Sequence, residues 1–327
     1  MAKDKIKNKD QKNGLLKSFS KLNILRRLNI FRGISLNNAE NKLLSEIDDY
    51  RKAEKESFKA WKKVELSRDE NRPMTLDYIR SVFEDFIELS GDRLSGDDKP
   101  IITGLARIDG RTVVVVGQQK GKDTKEKVYY NFSMASPQGY RKAQRAYRLA
   151  DKFGFPIITF VDTQGAYPAI EAEDAGQAGA IARSLLTSFE VSVPIIVLLI
   201  GEGGSGGALA IAVGNYIMML ENSTYSVISP EGCAAILWKD AKSKMLAARA
   251  LKLTAKDLFK LQVVDRLIHE PIGGAQKNPT RMIRIVKKYL IYALNKYKDY
   301  DRETIKQQRA LKFERLGVFL DMSGEKD

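Results

Sequence analysis

An α/β fold built on parallel strands is predicted by three features of the sequence. Apolar, β-branched runs alternate with helix-patterned segments between residues 101 and 229. Alternation of this kind joins parallel strands by right-handed crossovers. The runs are followed by glycine-containing turns at Gly117, Gly165, Gly201 and Gly232, and ligands of such sheets sit at the carboxyl ends of the strands. A site is therefore expected along that glycine-rich edge.

Residues 1–35 form a basic arm that is expected to be disordered: residues 1–13 are rich in lysine and asparagine, and Leu15 to Phe31, apolar at mostly helical spacing, is read as solvated arm in preference to a surface-bound helix or a targeting sequence. Residues 36–70 are read as an N-terminal docking helix, because Leu43, Leu44, Ile47, Tyr50, Ala53, Phe58, Trp61 and Val64 mark one face between Glu40 and Leu66. The main domain is placed at 71–320. Its first helix is expected from Leu76 to Leu89, with Thr75 as N-cap and Gly91 beyond its end. Two strands, Ile101 to Ile108 and Thr112 to Gly117, flank the hairpin turn Asp109-Gly110. A helix from Ser136 to Lys152 stops at Gly154. A buried strand, Pro156 to Asp162, leads into the turn Thr163-Gln164-Gly165-Ala166-Tyr167 and a helix from about Glu171 to Phe189.

The densest signal runs from Val193 to Gly232. The buried run Val193 to Ile200 meets Gly201, Gly203, Gly204, Gly206 and Gly207, and an alanine-rich segment follows. This order reads as strand, tight turn and helix N-terminus. Tyr216 to Leu220, a short run Tyr225 to Ser229, and the turn Pro230-Glu231-Gly232 come next. Helices are expected at Thr254 to Gln262 and from about Pro279 to Tyr297, separated by the loop Glu270 to Gly274.

Composition narrows the chemistry. With 327 residues and 43% hydrophobic content the chain can bury a full core. Its longest apolar run, Val193 to Ile200, is far short of the roughly 20 residues of a membrane helix, so no membrane span is expected. One cysteine, Cys233, and one histidine, His269, exclude an internal disulfide, a CxxC metal knuckle and a multi-histidine metal site. Of the net charge of +14, +8 belongs to Met1 to Arg32, with ten Lys or Arg against two Asp. The remaining body is mildly basic and suits anionic small molecules such as CoA thioesters or an acidic protein. Nucleic acid would be a reading for the arm alone and is not expected as the main partner.

The glycine loop supports three chemistries. Gly201 to Gly206 matches G-x-G-x-x-G after a strand, with Glu221 where a ribose-binding acid belongs, but only Ala208 to Asn215 remain for a crossover helix. Gly203-Gly204-Ser205-Gly206-Gly207 also matches the nucleophile elbow G-x-S-x-G. A serine hydrolase using Ser205 would then need His269 as base. The third chemistry needs no side chain: first-turn amides of Gly206 and Gly207 would bind an oxygen that becomes negative in the transition state.

Several separated motifs carry a resemblance. Arg72-Pro73 with Thr75 to Tyr78, Ser90 to Arg93, Gly117 to Gly121, Gly139 to Ala143, Gly165 to Pro168, Gly201 to Ile211 and Ser226 to Lys239 resemble, in order, the α subunit family of bacterial and plastid acetyl-CoA carboxylase carboxyltransferase. The resemblance covers about residue 40 onward. It implies a crotonase-like (ClpP/crotonase) ββα superhelix with an N-terminal helical extension, and an α2β2 assembly with a β subunit. It also implies transfer of a carboxyl group from N-carboxybiotin, on the biotin carboxyl carrier protein, to acetyl-CoA, giving malonyl-CoA for fatty-acid synthesis. The resemblance assigns Gly206 and Gly207 to the carboxybiotin carbonyl oxygen, as the catalytic pair, and Gly165, Ala166, Gly203, Gly204 and Ser205 to substrate contact. Zinc is expected on the β subunit and no metal on this chain. Biotin carboxylase is a further expected partner, and the location implied is bacterial cytoplasm, with plastid stroma as the alternative. The sequence departs from the family pattern at Gln164 (usually Pro), Ala169 and Ser133 (usually Gly) and Ala175 (usually Arg).

Overall fold

The computed structural model describes residues 36–317; the basic arm at 1–35 lies outside them. The elements, in chain order, are α1 (Leu36–Ser67), α2 (Thr75–Val82), β1 (Glu84–Glu88), β2 (Ile101–Ile108), β3 (Arg111–Gln118), α3 (Thr124–Tyr129), α4 (Pro137–Phe153), β4 (Ile157–Thr163), α5 (Ile170–Asp174), α6 (Gln177–Glu190), β5 (Ile195–Gly204), α7 (Ser205–Ala212), β6 (Tyr216–Leu220), β7 (Thr224–Ser226), α8 (Pro230–Trp238), α9 (Lys244–Ala250), α10 (Ala255–Lys260), β8 (Arg266–Ile268), α11 (Pro279–Lys296) and α12 (Arg302–Glu314). The described residues fall into two compact units. One takes the chain up to Lys62 together with Ser229–Leu251; the other is Lys63–Ile228 and the residues from Lys252 on.

In the first unit, Pro230-Glu231-Gly232 opens α8 instead of forming a free turn. Ser229 accepts from Gly232 N at 3.1 Å as N-cap, and Pro230 occupies the first helical turn, where its missing N–H costs nothing. The Lys244 ammonium stands 4.2 Å from the centroid of the Trp61 ring.

The second unit holds an eight-stranded sheet in the order β1-β2-β3-β4-β5-β6-β8, with β7 paired to β5. β1, β2 and β3 are antiparallel, and β3, β4, β5, β6 and β8 are parallel to one another. The hairpin turn is as expected: Asp109 (φ 53°) and Gly110 (φ 73°) are both left-handed, which matches the twist of the strands they join. The central strands are covered on both faces, which is why they read as unbroken apolar runs. Val114, Val116, Ile157, Ile195, Val197 and Leu199 face α4 and α7 through Tyr140, Ala143, Tyr147 and Ile211. Val113, Val115, Ile158, Phe160, Ile196 and Leu198 face α2 and α11 through Tyr78, Ile79, Met282, Val286 and Leu290.

Two expected helices and one expected cap are corrected. The helix at Leu76–Leu89 ends at Val82, and residues 84–88 form an edge strand whose register on β2 shifts between Glu84 and Ile87, with Asp85 left-handed at φ 53°. Spacing alone cannot separate a short apolar helix turn from a strand. Thr75 is not the cap: Met74 N donates to Asp77 Oδ2 at 2.9 Å, while the Thr75 hydroxyl donates to the carbonyl of Gln118. The helix expected at Glu171–Phe189 is broken at Gly176, left-handed at φ 83°, into α5 and α6. β8 and α12 carry too little periodic signal to have been assigned.

A buried acid near the β2 start has a thermodynamic consequence. Asp98 is 7% exposed, receives a 3.3 Å bond from Ser136 N, and leaves Oδ2 without a partner. Burial pushes its carboxyl up to about 6. A carboxyl raised in the folded state stabilises fully below its unfolded value and loses that contribution as pH rises through about 6. Asp98→Asn is therefore expected to raise unfolding free energy at pH 8 by roughly 1–3 kcal/mol. Urea unfolding of both proteins should show the gain disappear near pH 4; equal curves at pH 8 would contradict it.

Candidate active site

The carboxyl ends of β3, β4 and β5 meet at one edge. The glycines there are set apart by what their missing Cβ atoms would strike. β5 does not turn after Ile200, as the sequence led one to expect, but continues through Gly201 to Gly204. Gly203 pairs with Thr163 of β4, and Glu202 to Gly204 pair with β7. A Cβ on Gly201 would lie 2.3 Å from Asp162 Oδ1, and one on Gly204 would lie 2.1 Å from the carbonyl oxygen of Gln164. One on Gly207 would lie 2.4 Å from Ala166 N. The turn Gln164-Gly165-Ala166 is thus packed directly on the β5–α7 junction. Glycine lets these two backbones touch.

Gly206 differs. The nearest atoms to its ideal Cβ are Ile181 carbons at 3.7 Å, ordinary contact distance, so nothing is packed tightly against its Cα. It borders an open cavity of about 310 Å³ lined by Ser205, Gly206, Leu209, Tyr225, Ser226, Val227, Leu258 and Val263. No charged side chain is in that lining. Burial pushes the Tyr225 phenol up to about 12, so it is neutral at physiological pH. The first-turn amides of α7, which lack intrahelical partners, lie at Ser205 to Gly207.

Behind the loop lies a compensated ionic network. Lys120 Nζ stands 2.8 Å from Glu202 Oε2 and 3.2 Å from Asp162 Oδ1, and Arg68 Nε stands 2.6 Å from Glu202 Oε1. Asp162 Oδ1 also accepts from Glu202 N at 2.9 Å. Burial acts to lower the Lys120 pKa, but the two carboxylates outweigh it and hold the ammonium above its ordinary value. Burial acts to raise Glu202, and Lys120 and Arg68 outweigh it in the other direction. Two cations face two carboxylates, so the network braces the strand ends and offers no free base.

The structure brings together Gly165, Ala166, Gly203, Gly204, Ser205, Gly206 and Gly207, all the residues expected at the site. It leaves His269 aside. That ring is 80% exposed and its Nδ1 lies 3.2 Å from Glu221 Oε2, and Glu221 also meets Lys63 at 3.6 Å. Ser205 does adopt a left-handed backbone, φ 49°, at the strand-to-helix junction. Gln118, Lys120, Asp162, Glu202 and Tyr225 were given no role from sequence, although the Gly117 to Gly121 motif contains two of them. Of the departures, Ser133 stands where the family's glycine has a physical reason: φ is 66°, in a left-handed run with Asn131 and Phe132. Its hydroxyl donates to the carbonyl of Asp162, tying the strained turn to β4. Ala169, at φ −86°, needs no glycine. Gln164 contributes its backbone to the contact with Gly204 whatever its side chain.

A sequence model of the family described as acetyl co-enzyme A carboxylase carboxyltransferase-like matches residues 9–317. The chain belongs to that family. Among the relatives of this carboxyltransferase-like chain, an acetyl-coenzyme A carboxylase carboxyl transferase subunit alpha of Thermus thermophilus is 52% identical over 284 residues, covering 86% of this chain and 90% of the relative. The protein of the same name from Geobacter sulfurreducens is 52% identical over 275 residues, covering 84% and 86%. Two solved structures show the fold. Transcarboxylase 12S superposes with a TM-score of 0.58 at 19% identity over 70% of this chain, which matches 42% of that longer chain. A Pseudomonas malonate decarboxylase heterotetramer, in complex with coenzyme A, superposes with a TM-score of 0.56 at 16% identity over 68% of this chain and 91% of that one. The fold is crotonase-like, as expected. Family membership favours the carboxyltransferase chemistry over the Ser205 hydrolase. Among the described residues no helix is long and apolar enough to cross a membrane, and no group of three or more His, Cys, Asp or Glu could hold a metal.

Proposed function

We propose that this chain is the alpha subunit of an acetyl-CoA carboxyltransferase and that Gly206 and Gly207 form its oxyanion-binding pair. The observation that carries this reading is an open glycine at a helix start, beside a cavity whose lining is apolar or hydroxylic and uncharged. Such a site has no acid–base pair of its own. It suits a reaction in which the bound group supplies the reactivity and the protein supplies aligned dipoles.

Carboxybiotin fits that surround: a Cβ-free cradle at Gly206 admits a carbonyl oxygen, and Leu209, Leu258 and Val263 offer apolar surface beside it. When bound it supplies an activated carboxyl group for acetyl-CoA, giving malonyl-CoA. This chain's part is to hold the carbonyl oxygen with the Gly206 and Gly207 amides, to keep the turn Gly165-Ala166 packed on the loop, and to exclude bulk water with Tyr225 and Leu209. Gly203, Gly204 and Ser205 shape the approach. The remaining machinery, including an expected zinc module, is assigned to a β subunit in an α2β2 assembly. The biotin carboxyl carrier protein and biotin carboxylase complete the set of partners. Residues 71–320 would be the carboxyltransferase domain and α1 its docking helix, in bacterial cytoplasm or plastid stroma.

The test is malonyl-CoA formation from acetyl-CoA and carboxybiotin by this chain alone and with its β subunit. Activity only on mixing supports the reading; hydrolysis of an acyl ester by this chain alone would overturn it. Ser205→Ala discriminates further. A nest of backbone amides is expected to retain carboxyl transfer within about threefold, whereas removal of a nucleophile typically costs about 10³-fold or more.

A further inference from the structure

The structure assigns Gln118 as a positioning residue for the Gly206–Gly207 nest, an inference that rests on the functional reading above. Gln118 ends β3 and is completely buried. Its Nε2 donates to the carbonyl of Gly207 at 2.8 Å, and its Oε1 accepts from Asp162 N at 3.1 Å. Its own carbonyl is held by the Thr75 hydroxyl. A single amide side chain therefore bridges the end of β4 to the first turn of α7, and its own backbone is pinned from α2.

The first turn of α7 needs an external reference. Ser205 is left-handed and is followed by two glycines, the residues with the widest backbone freedom. Local sequence does not fix where their N–H groups point. Two contacts fix it. The backbone of Gly165 and Ala166 closes on Gly207 from one side, within 2.4–2.5 Å of an ideal Cβ. The Gln118 amide grips the same residue at its carbonyl, which leaves the Gly206 face open to the cavity. Gln118 lines no part of that cavity, so it acts on the reaction only through the peptides it orients. Both hydrogen-bonding ends are committed and dry. Replacing the side chain by an apolar one of similar size leaves the buried Asp162 N–H without its acceptor and takes from the Gly207 carbonyl the one donor that ties it to β3.

The experiment uses the assembled α–β complex with Q118L, Q118H and Gly206→Ala in parallel, reading kcat, the KM for acetyl-CoA and the melting temperature. Q118L is expected to lower kcat by about 10- to 100-fold, because misplacement of about an ångström has that cost. The KM should stay within about twofold, because a nest aimed at a transition state contributes little to ground-state binding. Q118H, whose ring N–H can donate, should recover most of kcat. A residue that merely supports folding would lower melting temperature and active-site concentration without recovery by a donor. Should Q118L not fold, Q118E takes its place, since it keeps an acceptor for Asp162 N and presents no donor to Gly207. A native kcat in Q118L, a rise in KM with kcat unchanged, or unfolding of every Gln118 variant overturns the assignment. Gly206→Ala separates the two layers. Native activity there overturns the nest itself, while loss there beside a native Q118L overturns only the role of Gln118.

Discussion

Gly206→Ala is expected to reduce carboxyl transfer by the assembled complex about 10²- to 10³-fold, the usual cost of disabling one donor of an oxyanion-binding pair. The protein itself has room for the methyl: the nearest atoms, two Ile181 carbons, are 3.7 Å away, ordinary contact distance. Helix propensity favours alanine over glycine by up to about 1 kcal/mol, so stability should hold or rise slightly. The loss would come from the methyl crowding a ligand oxygen at Gly206, which borders the cavity. The expected result is thus a folded, assembled and nearly inactive complex, established by malonyl-CoA formation with circular dichroism and sedimentation as controls. Gly207→Ala makes a useful contrast, because its Cβ would fall 2.4 Å from Ala166 N and must displace backbone. That variant should lose stability as well as activity. Full activity in Gly206→Ala would mean that no ligand oxygen comes to this face.

What the sequence made legible, and what it hid, follow from the range of the forces involved. The hairpin at Asp109-Gly110, the stop at Gly154 and the doubly covered strands depend on local backbone preference or on unbroken apolar runs, and both are visible in a short window. Gly206 and Gly207 were singled out because a strand, a glycine cluster and a helix start follow one another in the chain. The extension of β5 through Gly204 was hidden because its partners, Thr163 and Thr224 to Ser226, come from other parts of the chain. The same holds for Gln118, Lys120 and Glu202, whose roles arise from contacts 40 to 90 positions apart. Five glycines in seven residues read as one tight turn. In the structure they serve distinct ends: Gly201 leaves room for the Asp162 carboxylate, Gly204 and Gly207 admit the Gln164–Ala166 backbone, and Gly206 faces the cavity.

The largest loss of stability is expected from Arg72→Met. Arg72 grips Glu270 with both Nη atoms, at 2.9 and 2.8 Å, and also donates to the carbonyl of Ile200 at 2.9 Å, immediately before the glycine-rich end of β5. The side chains are only 3% and 1% exposed. Glu270 further accepts from Asn222 N at 2.9 Å, Asn222 Nδ2 at 2.8 Å and Ala275 N at 2.6 Å, so the pair joins three loops to the strand. Removing the cation leaves a buried carboxylate without its charge partner, at a cost of about 3–5 kcal/mol. Arg72→Met with Glu270→Leu should be less damaging than the single change, because neither charge is then stranded. The pH dependence carries the sign. In the native protein burial acts to raise the Glu270 pKa, but the Arg72 hydrogen bonds and charge outweigh it and hold the carboxyl below its ordinary 4.5. Its contribution is therefore present above that value and lost as pH falls through the lowered folded one. Without Arg72 burial prevails, the carboxyl shifts upward, and protonation relieves the variant. The stability gap between Arg72→Met and the native chain should narrow as urea unfolding is repeated from pH 7 toward pH 5. A gap that stays constant over that range would show that Arg72 acts through its bond to Ile200 and its packing rather than through Glu270.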